Sequence, residues 1–286
     1  MNNLFNHIIL FTFISFLSTG VWAQIDHPKI SPPATLVQKI GLSEVKIEYS
    51  RPSVNKRKIM GELVPYGRIW RVGANESTKI HFSDSVKIQV HDLPPGVYAL
   101  YAIPEKNAWT IIIHKNISHW GDGRFNYKQE EDALRFQVEP QSINFAETFT
   151  IELDEITHKS AILFWEWENT RIQFLLEFDT QKKMLKEIET KVLKNPTADT
   201  YYESARYLQE EGIMTELALD YLLKAHNLVG DKYYIHRIWA LVEAQLGNYD
   251  QAILHAQISK GLAEKERKDE FVRMNEKSIE EWKLKL

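Results

Sequence analysis

RIQFLLEFDTQKKMLKEIETKVL, residues 171–193, changes its hydrophobic period part-way along. Arg171 to Phe178 reads as a strand, whereas Met184, Leu185, Ile188, Val192 and Leu193 recur at helical spacing until Asn195-Pro196 ends the run. A period of two puts successive side chains on opposite faces of a sheet, and a period near 3.6 puts them on one stripe of a helix. The chain therefore divides near Thr180 into a β-rich first part and an α-helical second part, an α+β architecture of two domains.

Toward the N-terminus the period-two pattern persists. Val45, Ile47 and Tyr49 alternate with Lys46 and Glu48; Val86, Ile88 and Val90 alternate with Lys87 and Gln89. Strands are also expected at Lys79 to Phe82, Val97 to Ile103, Trp109 to His114, Leu134 to Val138, Thr148 to Leu153, Ala161 to Trp167 and Arg171 to Phe178. Leu93-Pro94-Pro95-Gly96, Pro104-Glu105-Lys106-Asn107 and Gly121-Asp122-Gly123 supply turn chemistry between them. Short strands with no helix between them predict an antiparallel β-sandwich over residues 36–179, preceded by a linker over 24–35.

Toward the C-terminus, residues 180–286 show only helical patterning. Ala218, Leu222 and Ala225 recur 34 residues later as Ala252, Ala256 and Ser259, the tetratricopeptide period, although small and aromatic residues at helical spacing also describe a generic helical bundle. In EAQLGNYDQAILHA, Glu243 to Ala256, small Ala244 and Ala252 let paired helices approach and Gly247-Asn248 turns the chain. Helical repeats present a concave face, so a protein partner is expected here.

Residues 1–23 read as a signal peptide, with an apolar run from Ile8 to Leu17 and small residues at Val21 and Ala23 before Gln24. That run is shorter than the roughly 20 residues a bilayer span needs. An exported, periplasmic or otherwise extracytoplasmic protein follows, with no membrane insertion after signal cleavage. Of its 286 residues 44% are hydrophobic and 26% charged, which is globular composition. The formal charge of −4 gives no handle for nucleic acid, and the absence of cysteine removes disulfides, thiolate metal sites and cysteine nucleophiles.

Chemistry concentrates between Tyr49 and Thr78. Arg51, Arg57, Arg68 and Arg71 offer guanidinium forks for an anion or acidic sugar, or else pair with Glu48, Glu62 and Glu76 to pin the loops. Trp70, Trp109 and Trp120 with Tyr66 would form an aromatic platform, with Arg71, Asn75 and Asp122 beside it for sugar hydroxyls, or else Trp70 and Trp109 fill the core. The ligand-binding candidates are Arg51, Arg57, Arg68, Trp70, Arg71, Asn75, Glu76 and Trp120. Gly73 and Asn75 suit positive φ. His81, His91, His114 and His119 lie in the β-rich part without HEXXH or H-x-H spacing, so neither metal nor cofactor is expected. No GxSxG elbow is present, and alternation puts Glu166 and Glu168 on the solvated face opposite Trp165 and Trp167.

The blocks YSRPSVNKR, LVPYGRIWRVGANESTKIHF, LPPGVYALYAIP, WTIIIHK and WEW resemble the signatures of a bacterial exported family, domain of unknown function 2911, over roughly Ser31 to Glu177. The resemblance implies an extracytoplasmic β-rich domain, often followed by helical repeats and typical of the Bacteroidetes, and it lends no activity. The chain departs from that pattern at Lys56-Arg57, His91-Asp92 and His114-Lys115, where Gly-Arg, Gly-Lys and Asn-Lys are expected. The expected function is a non-enzymatic exported binding protein with a polar-ligand or glycan site and a helical docking domain. The alternatives are an extracytoplasmic enzyme acting on an anionic or glycan substrate, using Arg57, Arg71 and Asn75 with His114 or His119, and a purely structural envelope protein.

Overall fold

A computed structural model describes residues 27–121 and 126–286. The expected signal peptide, and Asp122, lie outside the described residues. The first part holds ten strands: β1 (Pro33–Ile40), β2 (Ser43–Ser50), β3 (Thr78–Phe82), β4 (Val86–Ile88), β5 (His91–Leu93), β6 (Gly96–Ile103), β7 (Trp109–His114), β8 (Asp132–Val138), β9 (Gln141–Asp154) and β10 (Ser160–Phe178). They form a six-stranded sheet, β1-β2-β3-β6-β7-β8, and a four-stranded sheet, β5-β4-β10-β9, with antiparallel pairing throughout. Val45, Ile47, Ile80, Leu100 and Ile111 of the first sheet share one buried core with Ile88, Phe149, Trp165, Trp167 and Phe174 of the second. Alternating apolar residues on two facing sheets make that core, as the expected antiparallel arrangement requires.

The strands differ from the sequence reading in several places, among them the start of β9 at Gln141 rather than Thr148. Ala161–Trp167 and Arg171–Phe178 are one strand, because register shifts between Glu166 and Thr170 and a positive φ at Glu168 absorb the polar Glu-Asn-Thr stretch without ending the pairing with β9. His91 and Asp92 belong to β5, and the left-handed residue that turns the chain there is Gln89. β1 begins at Pro33, within the stretch read as linker, because its backbone pairs with β2 as far as Ser50.

Six helices follow: α1 (Thr180–Lys194), α2 (Ala198–Glu210), α3 (Thr215–Val229), α4 (Tyr233–Gln245), α5 (Tyr249–Lys265) and α6 (Asp269–Lys283). Asp179 caps α1 by accepting from the Lys182 N–H at 3.2 Å, and Thr197 caps α2 through the Thr200 N–H. Ala218, Leu222, Ala225, Ala252, Ala256 and Ser259, the positions related by 34 residues, are all fully buried. The helices meet the sandwich through an Asp84–Lys183 ion pair, a 2.6 Å contact between His158 and Glu211, and Thr180 packed against the β1–β2 turn at Gly41. Among the described residues no helix is long and apolar enough to cross a membrane.

Candidate functional site

The loop between β2 and β3 is stitched to both sheets. Its first residues run along β9, with Val54 N–H donating to Glu147 O at 2.7 Å and Phe149 N–H to Pro52 O at 2.9 Å; further on, Trp70 exchanges backbone hydrogen bonds with Ala102 of β6. Of the donors nominated for a ligand, Arg51 serves this attachment and Arg57 closes a turn within the loop. Arg51 donates to Phe149 O and to Thr150 Oγ1 at 3.2 and 2.6 Å, and Arg57 to Val54 O and Ser53 O at 3.0 and 2.6 Å. Asn75, at φ 61°, donates to Ser31 O and Ser50 Oγ. The carboxylates expected to hold the arginines instead hold lysines: Glu48 with Lys46, Glu62 with Lys58 and Glu76 with Lys79. The Lys79 ammonium keeps the Glu76 carboxyl below its ordinary range.

Trp70 is 7% exposed and stacks on Trp167 at 6.0 Å, so it offers no face to a ligand. Trp120 is 72% exposed and pairs through its backbone with Glu76, while Gly121 N–H donates to Asn75 O. Arg68 is exposed and Arg71 half-buried. The fold thus brings Asn75, Glu76 and Trp120 together, keeps the half-buried Arg51 and the buried Trp70 in the scaffold, and leaves Arg57 exposed with its guanidinium on carbonyls of its own loop. Glu166 forms an ion pair with Arg171 at 2.6 Å, and Glu168 accepts the Ile59 and Met60 N–H groups, so neither carboxylate is spare for glycoside chemistry.

Beside Trp120 the structure assembles a group that spacing did not reveal. His114, at the end of β7, His119, in the following loop, and Glu131, in the short 3-10 turn Gln129–Glu131, place ligand-capable atoms within 4.8 Å of one another. The register between β7 and β8 sets His114 opposite Asp132, which carries Glu131 alongside it. His114 is fully buried; its Nδ1 lies 3.0 Å from Asp132 Oδ1, and its Nε2 faces Glu131 Oε2 at 3.5 Å. Asp132 is held in turn by the Tyr127 hydroxyl and by Arg135, whose Nε and Nη2 donate at 3.0 and 2.8 Å. Burial, then the adjacent His114, lowers the His119 pKa.

A family model described as a protein of unknown function, DUF2911, matches residues 31–176. The chain belongs to the DUF2911 family. The DUF2911 match runs from just ahead of β1 almost to the end of β10, so it contains the β2–β3 loop and the His114 group, and the six helices lie beyond it. No curated protein matches the chain. Lys56, one of the departures from the expected DUF2911 pattern, sits at φ 59°, a conformation glycine adopts without strain.

The helical part contributes two features. Asp231 Oδ1 lies 2.8 Å from His226 Nε2 and 3.0 Å from His236 Nε2; His236 Nδ1 meets His255 Nδ1 at 2.9 Å, and His255 stacks on Trp239 at 4.2 Å. Burial, followed by His236 and His226, brings His255 down to about 4 from an ordinary 6.5. The unfolded chain therefore takes up this proton first as pH falls. The stabilisation is complete above pH 6.5 and is lost toward pH 4. With allowance for partial exposure it amounts to about 1–2 kcal/mol. Urea unfolding at pH 7.5 and 4.5 is expected to show a smaller acid loss in His255→Gln than in the wild type.

The second feature is a cleft of about 570 Å³ where α1 and α2 meet the β1–β2 turn. Gly41, Leu42 and His158 form one wall, and Met184, Ile188 and Tyr207 are among the residues forming the other. Glu187, Asp199, Glu203 and Glu210 line it with Lys191 and Arg206; both cations are already paired, Lys191 with Glu187 at 2.6 Å and Arg206 with Glu210 at 2.8 Å.

Proposed function

We propose that the protein is an exported, non-enzymatic binding protein whose tetratricopeptide-like helices and sandwich together hold an extended peptide segment of a protein partner in the cleft. The carrying observation is the cleft's chemistry: an apolar wall of Met184, Ile188 and Tyr207 beneath a carboxylate surplus. Such a surface favours a segment that alternates apolar residues with lysine or arginine, because steering by opposite charge and burial of apolar side chains then act together. The burial of Ala218 and Ala225, and of their counterparts Ala252 and Ser259, supports tetratricopeptide-like packing of the helix pairs. The apolar run Ile8 to Leu17 supports export.

Fluorescence anisotropy with labelled peptides tests the reading. Basic amphipathic peptides are expected to bind with micromolar affinity that weakens as salt rises, and Asp199→Lys with Glu203→Lys is expected to abolish it. Equal binding of acidic and basic peptides, or no binding of either, would sink the proposal.

A further inference from the structure

We propose that His114, His119 and Glu131 bind a single zinc ion in the sandwich domain, with a fourth coordination position open to solvent. The reading is independent of the peptide cleft. His114 Nε2 and Glu131 Oε2 are buried polar atoms without a hydrogen-bond partner among the described residues, and they point at each other across 3.5 Å. Two such atoms left unsatisfied are costly in a protein interior. Zinc–nitrogen and zinc–oxygen bonds near 2.1 Å, taken at the tetrahedral angle, set adjacent ligand atoms about 3.4 Å apart. The observed separation is that edge. His119 completes a set whose ligand atoms lie within 4.8 Å of one another, close enough for small side-chain rotations to close the tetrahedron.

The surroundings fit the same chemistry. A neutral imidazole that donates from Nδ1 to a carboxylate presents the Nε2 lone pair outward, and ligating histidines are oriented in this way. Asp132 provides that carboxylate to His114, and the Tyr127 hydroxyl and Arg135 fix Asp132 in place. The ligand set of two imidazoles and one carboxylate suits zinc, whereas magnesium and calcium favour oxygen throughout. Glu131 keeps a third of its side-chain surface exposed while His114 has none, so the solvent side of the ion is the carboxylate side.

The test is zinc and cobalt titration of the purified protein after chelator treatment and dialysis, followed by calorimetry and visible absorption. Expected are zinc binding that raises Tm and cobalt bands of tetrahedral intensity. Both are expected to vanish in Glu131→Gln, a substitution at a partly exposed turn that leaves folding intact by circular dichroism. Asp132→Asn is expected to keep the tetrahedral spectrum with affinity 10- to 100-fold weaker. Absence of zinc binding in the wild type would overturn the proposal. So would unchanged affinity in Glu131→Gln together with loss in His226→Ala, because the ion would then sit on the helical histidines.

Discussion

Trp70→Ala is expected to cost about 3–5 kcal/mol of stability, the range for truncating a buried tryptophan, while Trp120→Ala changes it by less than about 0.5 kcal/mol. Trp70 stacks on Trp167 at an interplanar angle of 16° and meets Trp109 and Phe149 edge-on, at 6.1 and 5.5 Å. Its indole N–H donates to Gly73 O at 3.2 Å, so truncation also leaves that carbonyl without its donor. The aromatic pairs add about 0.5–1.5 kcal/mol each beyond area burial. Urea unfolding followed by far-ultraviolet circular dichroism measures both variants, and the near-ultraviolet signal of the stacked pair should disappear only in Trp70→Ala. Equal, small effects would show that Trp70 is a surface platform and that the core is misassigned.

One partner in that cluster, Trp167, was legible as an inward-facing strand residue because period two forces a face on every side chain. The sequence alone leaves both Trp70 and Trp109 between platform and core; for Trp70 no period applies in its loop, and the backbone exchange with Ala102 shows that this part of the loop behaves as a strand edge. The same gap explains the arginines. Their guanidinium forks suit carboxylates and carbonyls alike, and composition cannot say that Arg51 and Arg57 meet carbonyl oxygens while lysines take the neighbouring glutamates. Asn75 was partly legible. Its tolerance of positive φ could be read from residue type, but its contact with Ser31, 44 residues away in sequence, could not. The histidine group was hidden for a topological reason. His114 and His119 are close in sequence without a diagnostic spacing, and Glu131 reaches them only because β8 returns alongside β7. In the helices the small residues repeating at 34 were legible and are buried, whereas the His226–Asp231–His236 contact depends on the α3–α4 turn bringing two helix faces together.

Gly41→Ala is expected to destabilise the protein by about 2–5 kcal/mol and to loosen the junction between sandwich and helices. Two costs combine. Gly41 has φ +57°, where an L side chain pays about 1–2 kcal/mol. An added Cβ would also lie 2.1 Å from His158 O and 2.5 Å from Thr180 Oγ1, a backbone atom and a side chain that is itself buried, so the surrounding segments must move at an overpacking cost of about 1–3 kcal/mol. The segments displaced are the turn that carries His158, which contacts Glu211 at the end of α2, and the first residue of α1. The control is Gly212→Ala, which has a similar φ of +65° but no neighbour within 4 Å of the added Cβ, and so pays the backbone cost alone. Urea unfolding should rank Gly41→Ala well below Gly212→Ala, and limited proteolysis should show new cleavage between residues 155 and 180 in the former only. Equal stability losses with unchanged proteolysis would mean that the junction yields without strain, and the cleft bordered by Gly41 could then not be a rigid receptor for a peptide.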